Sequence, residues 1–174
     1  MHSNRFRLFA CLVPLVLTTA ASAQDGGCQA TVLQNPPRTL LTCPNGVTIT
    51  AEDGTTFSLD DRDPAVPGPE GVHLDDQGVL VEVPPGGVPG GFEVTTPQAI
   101  AAVRGTRWAV DVQDGKTSVF VVRGTVAVRR APDDPSVNLG PGEGVDVEEG
   151  TRSVLTVRRW GAERSSSLLA RFGE

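Results

Sequence analysis

Between positions 92 and 148 the hydrophobic residues recur at alternate positions, not at helical spacing. In Arg107–Gln113, Trp108, Val110 and Val112 share one side, and Arg107, Ala109, Asp111 and Gln113 share the other. That is the period of a strand. Asp114-Gly115 follows as a two-residue hairpin signal, and Lys116 to Val122 supplies the returning strand. Its run Val119-Phe120-Val121-Val122 is apolar on both sides. This predicts a central strand covered on both faces.

The same reading predicts short strands at Val47–Thr50, Thr55–Leu59, Val79–Val83, Thr125–Arg129, Val137–Leu139, Val145–Val147 and Val154–Val157. Another opens at Phe92, before Thr96-Pro97 and the small-residue run Ala99-Ile100-Ala101-Ala102. Residues 60–71, 84–91 and 131–136 are loops by their content of proline, glycine and polar residues. The tail from Trp160 to Phe172 is different. Its apolar residues at 160, 168, 169 and 172 stand among charges, which predicts an amphipathic helix docked on a sheet and ended by Gly173. Glycine (20) and proline (14) are abundant in the 174 residues, which favours turns over long helices. The expected class is all-β: a sandwich, a jelly roll or a β-solenoid, with a short C-terminal helix. Val103-Arg104-Gly105-Thr106 recurs as Val122-Arg123-Gly124-Thr125. One recurrence is fewer than the three units a solenoid needs.

Residues 1–23 have the form of a cleavable export signal. Arg5 and Arg7 precede an apolar run from Leu8 to Thr19, and Ala21-Ser22-Ala23 forms the cleavage site. Cys11 lies early in that run, so a lipid-modified cysteine is not expected. No later run approaches the length of a membrane span. The expected location is the periplasm or beyond it. Without Arg5 and Arg7, 13 basic residues face 21 acidic ones, a net charge of −8. Such a balance argues against nucleic acid and anionic lipid as partners. Cys28 and Cys43 remain, and an even pair in an exported chain is most simply a disulfide. The expected layout is a disulfide-tied N-terminal region (24–71), a β-domain (72–148), and a last strand with the helix (149–174).

Chemistry is sparse. His73 is the one histidine left after cleavage, and no nucleophile turn accompanies it. Zinc needs more ligands than the chain offers, and no glycine loop is built to cradle phosphate. No spacing singles out a pair of carboxylates for glycoside hydrolysis. Asp60, Asp61 and Asp63 could hold calcium, but Arg62 and Pro64 interrupt the ligand pattern, and a solvated acidic loop is the simpler reading. No cofactor or metal is expected. Arg104 and Arg123 have two readings: a basic site for an anionic ligand or partner, or arginines that each pair locally to fix a turn. Gly105 and Gly124 fit turns that need a positive φ or close backbone approach. Trp108 alternates with valines and belongs to the core, whereas Trp160 caps the core or forms a contact surface.

The run Phe92-Glu93-Val94-Thr95-Thr96-Pro97, followed by Ala99, Ala101, Val103-Arg104-Gly105-Thr106, Trp108, Val110 and Val112, resembles the FecR domain family. Val119 to Val122, Gly124, Val126, Val128, Leu139-Gly140-Pro141-Gly142 and Val145 continue the resemblance, which covers about residues 72–148. It marks Pro97, Gly105, Thr106, Trp108 and Gly124 as motif positions. It implies an all-β domain of jelly-roll or sandwich type. In the best-known members, that domain receives a signal from an outer-membrane iron-uptake receptor and relays it through a membrane helix to control a sigma factor. Here the cleavable leader and the lack of a later apolar span imply a stand-alone exported module. The expected function is non-enzymatic binding or sensing through an envelope protein or glycan. The alternative is a carbohydrate-binding or hydrolytic envelope protein on a jelly-roll scaffold. A third reading is a structural envelope protein.

Overall fold

The computed structural model describes residues 27–174. The leader, its cleavage site and Cys11 lie outside the described residues. Thirteen strands and one helix follow in chain order: β1 (Gln29–Leu33), β2 (Arg38–Thr42), β3 (Thr48–Glu52), β4 (Thr56–Asp60), β5 (Gly71–Glu82), β6 (Phe92–Thr95), β7 (Ile100–Val103), β8 (Arg107–Gln113), β9 (Lys116–Arg123), β10 (Val126–Arg129), β11 (Val137–Leu139), β12 (Glu143–Glu148), β13 (Arg158–Arg159) and α1 (Ala162–Ala170).

The strands form two layers that share β5. Sheet A runs β1-β2-β3-β5-β8-β9-β12-β13, and sheet B runs β4-β5-β6-β7-β10-β11. All pairings are antiparallel except β5 with β6. The first half of β5 (Gly71–Asp76) pairs in sheet B, and the second (Gln77–Glu82) in sheet A. Gln77 marks the change with a φ of 64°. Just before it, the pairing with β4 skips Asp75, between Leu74 and Asp76, and this extra residue switches which side chains face inward: Val72 and Leu74 before it, Val79, Val81 and Val83 after it.

The main core lies between the layers and is largely valine, with Trp108, Phe92, Ile49, Leu74 and Leu139 fully enclosed. Phe92 meets the edge of Trp108 at 6.1 Å between ring centres. β-branched side chains suit such a pleated interior. A second cluster covers the outer face of sheet A. There Leu80, Ala109 and Phe120 meet Trp160, Leu168 and Phe172 from the C-terminal tail. This explains why the centre of β9 is apolar on both sides. Val119 and Val121 enter the main core, and Phe120 and Val122 the second cluster.

The all-β expectation holds, as a two-layer sandwich with one short helix. The hairpin of β8 and β9 lies where the alternation places it. Four segments differ. β1 and β2, inside the disulfide-tied region, form a hairpin that extends sheet A. β5 is a twelve-residue strand, and the hydrophobic pattern marks only its second half. The small-residue run contributes β7, with Ala101 and Val103 inward. Val154–Val157 is not a strand. Leu155 and Val157 pack on the core rim while Val154 is 87% exposed, and only Arg158–Arg159 pair with β12. A bond joins Cys28 to Cys43 across the ends of β1 and β2. Closing a fifteen-residue loop stabilises the fold by about 3 kcal/mol in the chain-entropy account.

Candidate functional site

The two Val-Arg-Gly-Thr units are the corners at which the chain changes layers. The first carries it from β7 in sheet B to β8 in sheet A, and the second from β9 back to β10. The corners lock together. Thr106 is buried and its hydroxyl donates to the Thr125 carbonyl at 3.1 Å, while its own carbonyl accepts from the Val83 amide at 2.9 Å. Gly124 has a φ of 89°, and a Cβ there would lie 2.7 Å from the Thr106 hydroxyl. Gly105 has a φ of 68°, and a Cβ there would lie 3.2 Å from the Pro85 backbone. Both glycines are therefore required by conformation and by space. Pro97 sits exposed in the turn from β6 to β7, where the Thr96 hydroxyl accepts from the Ala99 amide at 2.9 Å and lies 2.8 Å from the Thr117 hydroxyl.

The structure separates the two arginines. Arg123, at the end of β9, donates to Glu82 at 2.8 Å, with Arg107 holding the other oxygen of that carboxylate at 3.6 Å. Arg104 is exposed at the margin of the outer face of sheet B, where it has no hydrogen-bond or ion-pair partner among the described residues.

That face carries a shallow groove of about 330 Å³. Strand register explains it. One cross-strand row runs Gly71, Glu93, Ala102, Ala127, Asn138, so small residues hold its centre. Arg62 and Arg104 rise at the rim. Glu93 is gripped by two guanidinium groups, Arg129 at 2.8 Å and Arg62 at 3.4 Å. Two arginines therefore share one carboxylate, and Arg104 lines the same groove with no partner among the described residues. The sequence reading did not single out Arg62, Glu93, Arg129, Ala102 or Ala127. The signal available was the outward alanine in the short strands of β7 and β10.

The outer face of sheet A is closed by the tail over β5, β8 and β9. Trp160 stacks on Phe120 at 5.0 Å, and the Arg164 guanidinium lies 3.4 Å from the centre of the Trp160 ring. Gly144 leaves the room: a Cβ there would collide with the Trp160 ring and lie 2.7 Å from the Val119 carbonyl. At Gly78 a Cβ would lie 2.9 Å from Phe172. Ion pairs ring this seat. Arg171 donates to Glu52 and, at 2.7 Å, to Asp111; Arg107 holds Glu174 at 2.7 Å; and Arg164 holds Asp146 at 2.6 Å. Hydrogen bonding to Glu52 raises the Arg171 pKa further, against burial and with help from Asp111, so this side chain stays charged. Burial pushes the Asp146 carboxyl up, but hydrogen bonds from Arg164 and Ser118, with the charges of Arg164 and Lys116, outweigh it and hold the pKa below the ordinary range.

His73 is exposed on β5. In the acidic loop, Asp60 pairs with Arg62 at 2.9 Å and Asp63 accepts from the Ala65 amide at 2.9 Å. Among the described residues no three histidine, cysteine or acidic side chains are grouped to hold a metal. No helix among them is long and apolar enough to cross a membrane.

A family model described as FecR protein matches residues 37–127, just over half of the chain. The motif resemblance begins at residue 72; the match begins earlier and takes in β2, β3, β4 and all of β5. Two solved structures of a protein from Parabacteroides distasonis, described as "a putative anti-sigma factor", have the same fold. Each is 20% identical with a TM-score of 0.59, covering 81% and 82% of this chain. The matches span 64% of that protein's chain, just under two thirds. No curated protein matches.

Proposed function

The chain belongs to the FecR protein family, and from that premise we propose that it is an exported, non-enzymatic module acting through protein contacts in cell-envelope signalling. The contact surface is the outer face of sheet B, and Arg104 is its anchoring group. The observation that carries this reading is the unequal covering of the sandwich. Sheet A is capped by the chain's own tail, whereas sheet B presents a floor of small residues beside a guanidinium that has no partner among the described residues. Guanidinium is well suited to gripping a partner's carboxylate. Polar groups in the groove support binding more than turnover, because the Glu93 carboxylate is committed to two arginines. The description of the Parabacteroides distasonis protein as an anti-sigma factor supports a signalling role. The leader at 1–23 and the Cys28–Cys43 bond support the periplasm or an extracellular location, since disulfides persist in oxidising compartments. Arg123, engaged with Glu82, has a structural role.

A photo-crosslinking residue at Ala127, placed in the exported protein in living cells, tests the assignment. It should yield an adduct with an envelope protein. Arg104→Glu should abolish that adduct, and the same probe at exposed Ser166 on α1 should give none. An adduct indifferent to Arg104→Glu, or turnover of a polysaccharide by the purified chain, would overturn the reading.

A further inference from the structure

Among the described residues, four strands keep one edge unpaired: β1 and β13 in sheet A, β4 and β11 in sheet B. An open edge presents free N–H and C=O groups and is a template for another strand, so proteins blunt edges with charge, brevity or bulges. Three of the four are blunted. β13 is two residues long and both are arginine. β11 has three residues. β4 has a register shift at Thr56/Phe57 and ends in Asp60. β1 has none of these protections. Its five residues, Gln29-Ala30-Thr31-Val32-Leu33, carry no charge and no proline, and they pair with β2 in unbroken register.

β1 also contributes little to the interior. Four of its five residues are exposed, and Val32 is 71% exposed. Even so, the Cys28–Cys43 bond ties the residue just before β1 to the residue just after β2. A strand that adds so little to the core is thus held rigid, with its other side open.

We infer that β1 is the interface for a second copy of this chain, pairing antiparallel with the same strand of its partner about a two-fold axis at Thr31. The segment is complementary to itself in that register. Thr31 stands opposite Thr31, and Ala30 opposite Val32. Threonine pairs and paired apolar side chains are favourable across strands, and no like charges meet. Gln29 then faces Leu33, so the whole strand is used. The two copies of sheet A become one continuous sheet. Assembly stops at two, because the pairing is isologous and every edge left over is blunted. This inference does not rest on the contact face of sheet B, which lies on the other layer.

Sedimentation velocity on the exported chain, with its disulfide intact, tests the pairing over a concentration series. The expected result is a reversible monomer–dimer equilibrium. Val32→Lys places charge on the edge without disturbing the core and should weaken association by about tenfold or more. Ser58→Lys on β4 should leave it unchanged. Register is read separately with Thr31→Cys: mild oxidation should link two chains through residue 31, whereas Gln29→Cys should not link to itself. Matching circular dichroism confirms that the variants fold. A chain that stays monomeric throughout, a dimer indifferent to Val32→Lys, or linkage no better at 31 than at 29 would each overturn the inference.

Discussion

The two outer faces of this sandwich are built from the same kind of strands and are treated in opposite ways. On sheet A, outward positions hold Leu80, Ala109 and Phe120, with Gly78 and Gly144 clearing space for Phe172 and Trp160. On sheet B, they hold Ala102 and Ala127 with Glu93 and arginines, and no segment of the described chain lies over them. Large side chains beside glycine make a seat for one occupant already in place. Small side chains beside an exposed arginine make a surface that costs little to leave wet. The difference assigns the capped face to stability and, under the proposed function, leaves the bare one for a partner. Substitutions on the first should be felt in folding, and those on the second in binding.

The largest effect belongs to the seat. Trp160→Ala removes the stack on Phe120 and leaves a cavity under the tail, so unfolding by denaturant should show a loss of about 3–5 kcal/mol. Gly144→Ala attacks the same packing from the sheet and should cost about 1–3 kcal/mol through overpacking against Trp160. A loss below that range for both would mean that the tail is not a fixed part of the fold, and the contrast between the faces would fail.

Next come the ion pairs at the rim. Arg171→Met leaves Glu52 and Asp111, both mostly buried, without their shared cation. Thermal unfolding should report a loss of about 2 kcal/mol, the range for hydrogen bonds to charged groups. Arg129→Met is the matching change on sheet B. There Glu93 keeps Arg62, so the loss should be smaller. Equal losses would erase the comparison.

What could be read from the sequence depended on how local each feature was. The β8–β9 hairpin was legible because alternation and a turn signal lie within one short window. Half of β5 was not, because the extra residue at Asp75 reverses the inward parity and no single period spans 71–82. The Val-Arg-Gly-Thr repeat was visible, but its meaning as paired layer crossings needed the topology. The groove was least legible. Its row takes Gly71, Glu93, Ala102, Ala127 and Asn138 from five strands, and register between distant strands leaves no local mark. Arg104 and Arg123 have matching sequence neighbours, so only the placement of carboxylates distinguishes them.

A smaller effect has a pH signature. The Asp146 pKa is depressed in the folded state, so its pairing with Arg164 stabilises the protein above the ordinary aspartate value of about 4. That contribution disappears as pH falls through the lower folded-state value. Both side chains are part-exposed, so Asp146→Asn should cost below about 1 kcal/mol at neutral pH. The difference from wild type should shrink toward acid. A difference that grows on acidification would reverse the sign assigned to this pair.

The smallest expected effect on stability is the one that most sharpens the comparison. Ala127→Leu fills the groove on sheet B with a side chain that points away from the core. Nothing packed is displaced, so the melting temperature should reflect a change within about 0.5 kcal/mol. The same substitution raises the floor beside Arg104 and should block a partner from lying against the sheet. A probe at Ala102 should then lose its envelope adduct although the protein is as stable as before. Loss of the adduct at unchanged stability is the behaviour that a bare face predicts and a capped face forbids. Ala109 lies on the other layer beneath the tail, and Ala109→Leu should do the opposite, destabilising the fold while leaving the crosslink in the protein that still folds.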